Sequence, residues 1–152
     1  MNSNDGNPKP SSLPTCIQKT IPDTLPSPTD VMIQLFSDRI FIVISQRSGK
    51  LGTLLQCTHE HSVIDNSHSY HVETLLGKRD DAQSEVYIRQ ITERIVRLGQ
   101  GGTTECPPIL LGIALKPLER DSDLSAGKEV FHSIINEVLN LYIEGIRAAA
   151  QK

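Results

Sequence analysis

The stretch DVMIQLFSDRIFIVISQ, residues 30–46, decides the fold class. Val31, Ile33 and Leu35 alternate with Met32, Gln34 and Phe36, the two-residue period of a strand that covers one face. Ser37 and Asp38 break the run, and from Ile40 to Ile44 every residue is apolar. A strand reads that way when both its faces are covered, so the stretch predicts a β-hairpin whose second strand is central.

Toward the C-terminus, RSGKLG at 47–52 is a Gly-bearing turn. TLLQCTH at 53–59 is a third strand, with Leu54 and Gln56 on one side and Leu55 and Cys57 on the other. His59 to Ser69 is polar and turn-rich. YHVETLL at 70–76 then sets Tyr70, Val72 and Thr74 against His71, Glu73 and Leu75, completing a four-strand meander that ends at Gly77. Beyond Asp81 the period lengthens: Ile88, Ile91, Ile95 and Leu98 share one stripe flanked by Val86 and Tyr87, which predicts an amphipathic helix. Asp80 and Asp81 suit its cap, Glu85 is spaced to pair with Arg89 and Glu93 with Arg97, and Gly99 suits its end. QGGTTECPP at 100–108 is a loop, and ILLGIALK at 109–116 is a buried fifth strand. Phe131, Ile134, Ile135, Val138, Leu139, Tyr142 and Ile146 mark a last helix from about 124 to 147, capped by Asp121, Ser122 and Asp123. The order β-β-β-β-α-β-α predicts an α+β domain over residues 30–147, an antiparallel sheet with two packed helices, followed by a short tail at 148–152.

Toward the N-terminus the texture is different. Six of the nine prolines precede Thr29, so residues 1–29 read as a mostly disordered Pro-rich tail, expected to be dispensable for folding. Within it, Cys16, Ile17 and Ile21 are apolar enough to dock as an added edge strand.

With 152 residues, 38% hydrophobic and 22% charged, the chain suits one domain with an aliphatic core. Aromatics at 4%, no Trp and a net charge of −3 argue against a nucleic-acid partner. No run of 18 apolar residues offers a membrane span. The N-terminal MNSNDGNPKPSSLP lacks a signal-peptide core, and the odd number of cysteines (16, 57 and 106) without a CxxC pair suits the reduced thiols of cytoplasm or nucleus.

Catalytic patterns are missing. His59, His61, His68 and His71 cluster with Glu60, Asp65 and Glu73, but without HExxH or a cysteine pair a solvated loop is the better reading than zinc. GKLGT at 49–53 and Gly77-Lys78 fail the P-loop spacing, and GQGG at 99–102 fails GxGxxG. GxSxG does not occur, and Cys57, with His59 two residues on, has no identifiable oxyanion site. Lys78, Arg79, Arg89, Arg94 and Arg97 are interleaved with acids, as on a solvated helix face. The chain is therefore expected to be no enzyme, with no catalytic residues, metal or cofactor.

The hairpin followed by Ser48-Gly49-Lys50-Leu51-Gly52-Thr53-Leu54, then Leu75-Leu76-Gly77-Lys78-Arg79-Asp80 before a helix, the strand Ile109 to Lys116 and a final helix resembles the proteasome assembly chaperone 3 family over roughly residues 30–142. The fourth assembly chaperone shares this architecture, and the Gly-Lys-x-Gly-Thr turn favours the third. Ala82-Gln83, where a Pro is expected, and Pro117, where an acid is expected, depart from the pattern. The resemblance implies a non-enzymatic chaperone that dimerises with a sister assembly chaperone, as a homodimer in isolation, and binds proteasome α subunits while the 20S α ring forms. The segment from His59 to Ser69 is then the expected protein-binding site, through His59, Glu60, His61, Asp65 and His68. Its two acids would face a basic patch, and its histidines gain charge as pH falls. The sheet and C-terminal helix would serve dimerisation. An alternative is a longin or roadblock-like adaptor for GTPase regulators or trafficking complexes, whose modules place a helix before the fifth element; a metal or cysteine hydrolase is a third reading.

Overall fold

The computed structural model describes residues 15–24, 26–99, 106–118 and 124–151. Six strands and two helices follow in the order β1 (Thr15–Ile21), β2 (Thr29–Leu35), β3 (Ile40–Ser45), β4 (Thr53–His61), β5 (His68–Leu76), α1 (Ala82–Leu98), β6 (Ile109–Ala114) and α2 (Leu124–Ala150). The class is α+β, with both helices on one face of a single sheet ordered β1-β2-β3-β6-β4-β5.

Two near-continuous apolar runs occupy the centre of that sheet. β3 and β6 pair in parallel, Ile40 beside Ile109 through Ser45 beside Ala114, which makes the sheet mixed instead of wholly antiparallel. The expected four-strand meander is thereby divided, because β6 lies between β3 and β4. The connection at residues 46–52 is long enough to cross one intervening strand, a gap of about 10 Å at the usual strand spacing. Burial drives the insertion: Ile109, Leu111 and Ile113 lie in the core on the helix face, while Gly112 and Ala114 are buried on the other.

β1 pairs antiparallel with β2 along its whole length, from Thr15 beside Leu35 to Ile21 beside Thr29. The docked edge strand around Cys16 to Ile21 is thus formed, and the sheet opens at Thr15, ahead of the boundary at Asp30 that composition suggests. Lys19 reaches Glu137 of α2 at 2.9 Å, and Ile17 and Leu35 pack at Gly145 of the same helix. The rest of the Pro-rich tail, residues 1–14, lies outside the described residues, as do the GQGG continuation and the Asp121-Ser122-Asp123 cap.

Ile88, Ile91 and Ile95 of α1 and Ile134, Ile135, Val138 and Leu141 of α2 cover the inner sheet face, meeting Ile33, Ile42, Ile44, Leu55 and Leu111 in one aliphatic core. Gln46 ties strand ends together at the core's margin. Its amide N–H donates to the carbonyl of Ala114 at 2.8 Å, its side-chain oxygen accepts from the Lys116 N–H at 2.9 Å, and its side-chain nitrogen donates to Thr29 at 3.1 Å.

Candidate partner-binding surfaces

Among the described residues, two surfaces have no secondary-structure element packed over them. The first is the sheet face opposite the helices. The register puts Met32 of β2, Phe41 and Val43 of β3, Leu110 and Gly112 of β6 and Leu54 of β4 on that side, since their strand neighbours Ile33, Ile42, Leu111 and Leu55 enter the helix-covered core. An antiparallel sheet with a wet face normally alternates to polar residues there. Here Gln34, Gln56 and Thr58 surround a middle built from Met32, Phe41, Val43, Leu54 and Leu110. Among the described residues, the 46–52 connection folds over its edge, Leu51 against Gly112 and Gly52 against Ala114.

The second surface is the far end of the β4–β5 hairpin. The polar segment expected as a loop is strand at both ends: β4 continues to His61 and β5 begins at His68, leaving residues 62–67 as the turn. His61 sits directly across from His68, and His59 from Tyr70. The three histidines consequently share one face and stack, ring centroids 4.6 Å apart for His61 and His68 and 5.1 Å for His59 and His68. His59 Nε2 lies 2.8 Å from His68 Nδ1, a bond that needs one neutral ring as acceptor. His61 Nε2 meets Asn66 Oδ1 at 2.7 Å.

The acids of the expected site are placed differently. Glu60 points to the opposite face of the hairpin, beside Ser69. Asp65 turns back on its own loop and accepts from the Ser67 hydroxyl at 2.7 Å and the Ser67 N–H at 3.2 Å. The Ser67 and Ser62 hydroxyls, followed by the Ser67 N–H, hold its carboxyl below the usual aspartate range. The structure therefore gathers His59, His61 and His68, sets Glu60 apart, and employs Asp65 in shaping the turn. What the sequence reading passed over is Val63 and Ile64 at the apex, 89% and 99% exposed. The signal was two β-branched residues inside an otherwise polar turn.

Among the described residues, no group of three or more His, Cys, Asp or Glu is arranged to hold a metal ion, and no helix is long and apolar enough to cross a membrane. Cys57 lies in the core, where burial raises its thiol pKa. The first helix is the sixth element, after five strands, unlike the adaptor modules with their earlier helix.

Comparison with known proteins agrees with this arrangement. A family model described as proteasome assembly chaperone 3 matches residues 42–139, from inside β3 to inside α2. No curated protein matches the sequence. A solved structure titled as a novel chaperone complex for yeast 20S proteasome assembly contains a chain of the same fold, with a TM-score of 0.57 and 18% identity, covering 80% of this chain and 96% of that one. The family match takes in well over half of the chain, including both glycine-bearing turns, α1 and the central strand β6: the chain belongs to the proteasome assembly chaperone 3 family.

Proposed function

We propose that this chain is a non-enzymatic chaperone of the cytoplasm and nucleus that pairs with a sister assembly chaperone through its open sheet face and holds proteasome α subunits by the β4–β5 hairpin while the α ring forms. The observation that carries the reading is an apolar sheet face over which no described helix or strand packs, in a member of a proteasome-assembly family. Such a face is a liability in a lone monomer and suits a matching sheet. The structural neighbour supports it, being itself part of a chaperone complex for 20S proteasome assembly in yeast. His59, Glu60, His61, Asp65 and His68 then belong to the hairpin that meets the subunit, with the histidine stack and Asp65 keeping its shape.

Affinity purification of the full chain from cell extract tests the proposal. Co-purification of α subunits together with a second small chaperone is expected. Recovery of the chain without any α subunit would refute it.

A further inference from the structure

The apex of the β4–β5 hairpin displays an apolar pair on a rigid mount. Single exposed apolar residues are common on protein surfaces and need no explanation. Val63 and Ile64 differ in being adjacent, almost wholly solvent-exposed and placed where a turn ordinarily takes polar residues. The turn beneath them is closed by the Ser62 N–H donating to the Ser67 carbonyl at 2.9 Å, by both Ser67 donors on Asp65, and by Asn66 at φ 54° bonded to His61. Below that, the stacked histidines stiffen the stalk. Val and Ile side chains, branched at Cβ, have few rotamers to lose on contact. A preorganised apolar tip of this kind loses little entropy when it binds.

Charge narrows the choice of partner. From Thr53 to Leu76 the hairpin has no Lys or Arg, and its charged residues are Glu60, Asp65 and Glu73. An anionic membrane surface would be repelled, whereas a protein pocket with a basic rim would be attracted. Resting on the function proposed above, we infer that Val63 and Ile64 form an apolar prong that seats in an apolar, basic-rimmed pocket of the α subunit, with Glu60 at the rim. The grip is then apolar at its centre and acidic only at its edge, and Asp65 acts within the turn.

The test uses the full chain in complex with its sister chaperone and a purified α subunit. The double variant Val63→Ser/Ile64→Ser should weaken capture about tenfold or more, chiefly through faster dissociation, as truncated anchor residues do. Its dimer mass and melting temperature should stay unchanged, because neither side chain packs in the core. Glu60→Lys should slow association and flatten its salt dependence. If the wild-type complex captures the subunit and the double variant does so equally well, the prong is refuted while the chaperone reading stands. If the double variant loses dimerisation, the apex belongs to the sister interface and the inference is wrong. Vesicle binding by the wild type that the double variant lacks would overturn it in favour of a lipid surface. If the wild-type complex captures no α subunit at all, the function proposed above fails and the prong fails with it.

Discussion

Gly52 and Gly77 meet at one end of the sheet, and each carries a positive φ, 62° and 96°. A Cβ on Gly52 would strike the Ile113 carbonyl oxygen, and one on Gly77 would lie 2.9 Å from the Thr53 Cα. The turns that carry the family resemblance are therefore close-approach points between β4, β5 and β6, where backbones touch without room for a side chain. Gly52→Ala or Gly77→Ala should cost about 1–3 kcal/mol by urea denaturation. Gly49→Ala should cost less, since its φ of 74° is similar but nothing lies within 4 Å. Core positions set the scale for comparison: Ile42→Ala, at a site with no exposure, should cost about 2–5 kcal/mol. The thiols separate by exposure as well. Cys16 is exposed, Cys57 is buried, and burial pushes Cys106 up from 9.0 to about 11. One fast and two slow thiols are expected with a thiol-specific reagent. A thiol whose pKa is higher in the fold than in the unfolded chain keeps its proton longer when folded. The stability associated with Cys106 is therefore intact below 9.0 and lost as pH rises from 9.0 to about 11. Burial of Tyr87, pushed from 10.0 to about 12, extends the loss further into alkali. Melting temperature followed by circular dichroism should stay level near neutrality and fall across that window.

Helix α1 shows how far local pattern reaches. Its stripe of Ile88, Ile91 and Ile95 is buried as the 3.6-residue period requires, yet Leu98, the last residue of the helix, is 53% exposed. Neither Glu85–Arg89 nor Glu93–Arg97 closes to ion-pair distance among the described residues, as is common for solvated i,i+4 pairs of small energy. Asp81 is the N-cap, but its carboxylate accepts from the Ser84 hydroxyl at 2.6 Å in place of a backbone N–H. In α2 the stripe is displaced: Leu141 and Gly145 are buried while Ile146 is 45% exposed, since the helix must also seat β1 at Gly145. The sequence showed Cys16 to Ile21 as an edge strand, but not that α2 would seat it, because that contact joins segments more than a hundred residues apart. The contribution of β1 can be measured. Removing residues 1–22 deletes the β1–β2 pairing, the Ile17 contact and the Lys19–Glu137 bridge together, and should lower the melting temperature by about 5 °C or more. Lys19→Ala alone should have little effect, the bridge being solvated at its lysine end. A truncated chain that melts with the full one would make β1 an ornament of the sheet, not a part of its stability.

On the scale of the whole molecule, what the sequence hid was the order of the strands. The runs from Ile40 to Ile44 and from Ile109 to Ala114 each announced a strand covered on both faces. Their parallel pairing joins segments far apart in the chain, which no local period encodes. Once they are paired, the free face becomes legible: six strands at about 4.8 Å spacing and about 20 Å long present roughly 500–600 Å² to a partner, close to the lower end for one side of a stable interface. If the sister chaperone covers that face, a charge placed in its apolar middle must oppose the pairing without unfolding the domain. Met32 and Leu54 are the positions to test, because both are half-buried and a lysine's flexible stem can lie along the face while its ammonium reaches water. Met32→Lys/Leu54→Lys should convert the dimer to monomer by light scattering, keep a near-native circular dichroism spectrum, and melt lower only by the amount that association had contributed. Val43 is a poorer choice, being 9% exposed already, so a charge there would disturb the monomer itself. A double variant that stays dimeric would move the interface off the open face, leaving the helices or the edge strands β1 and β5 as the pairing surfaces.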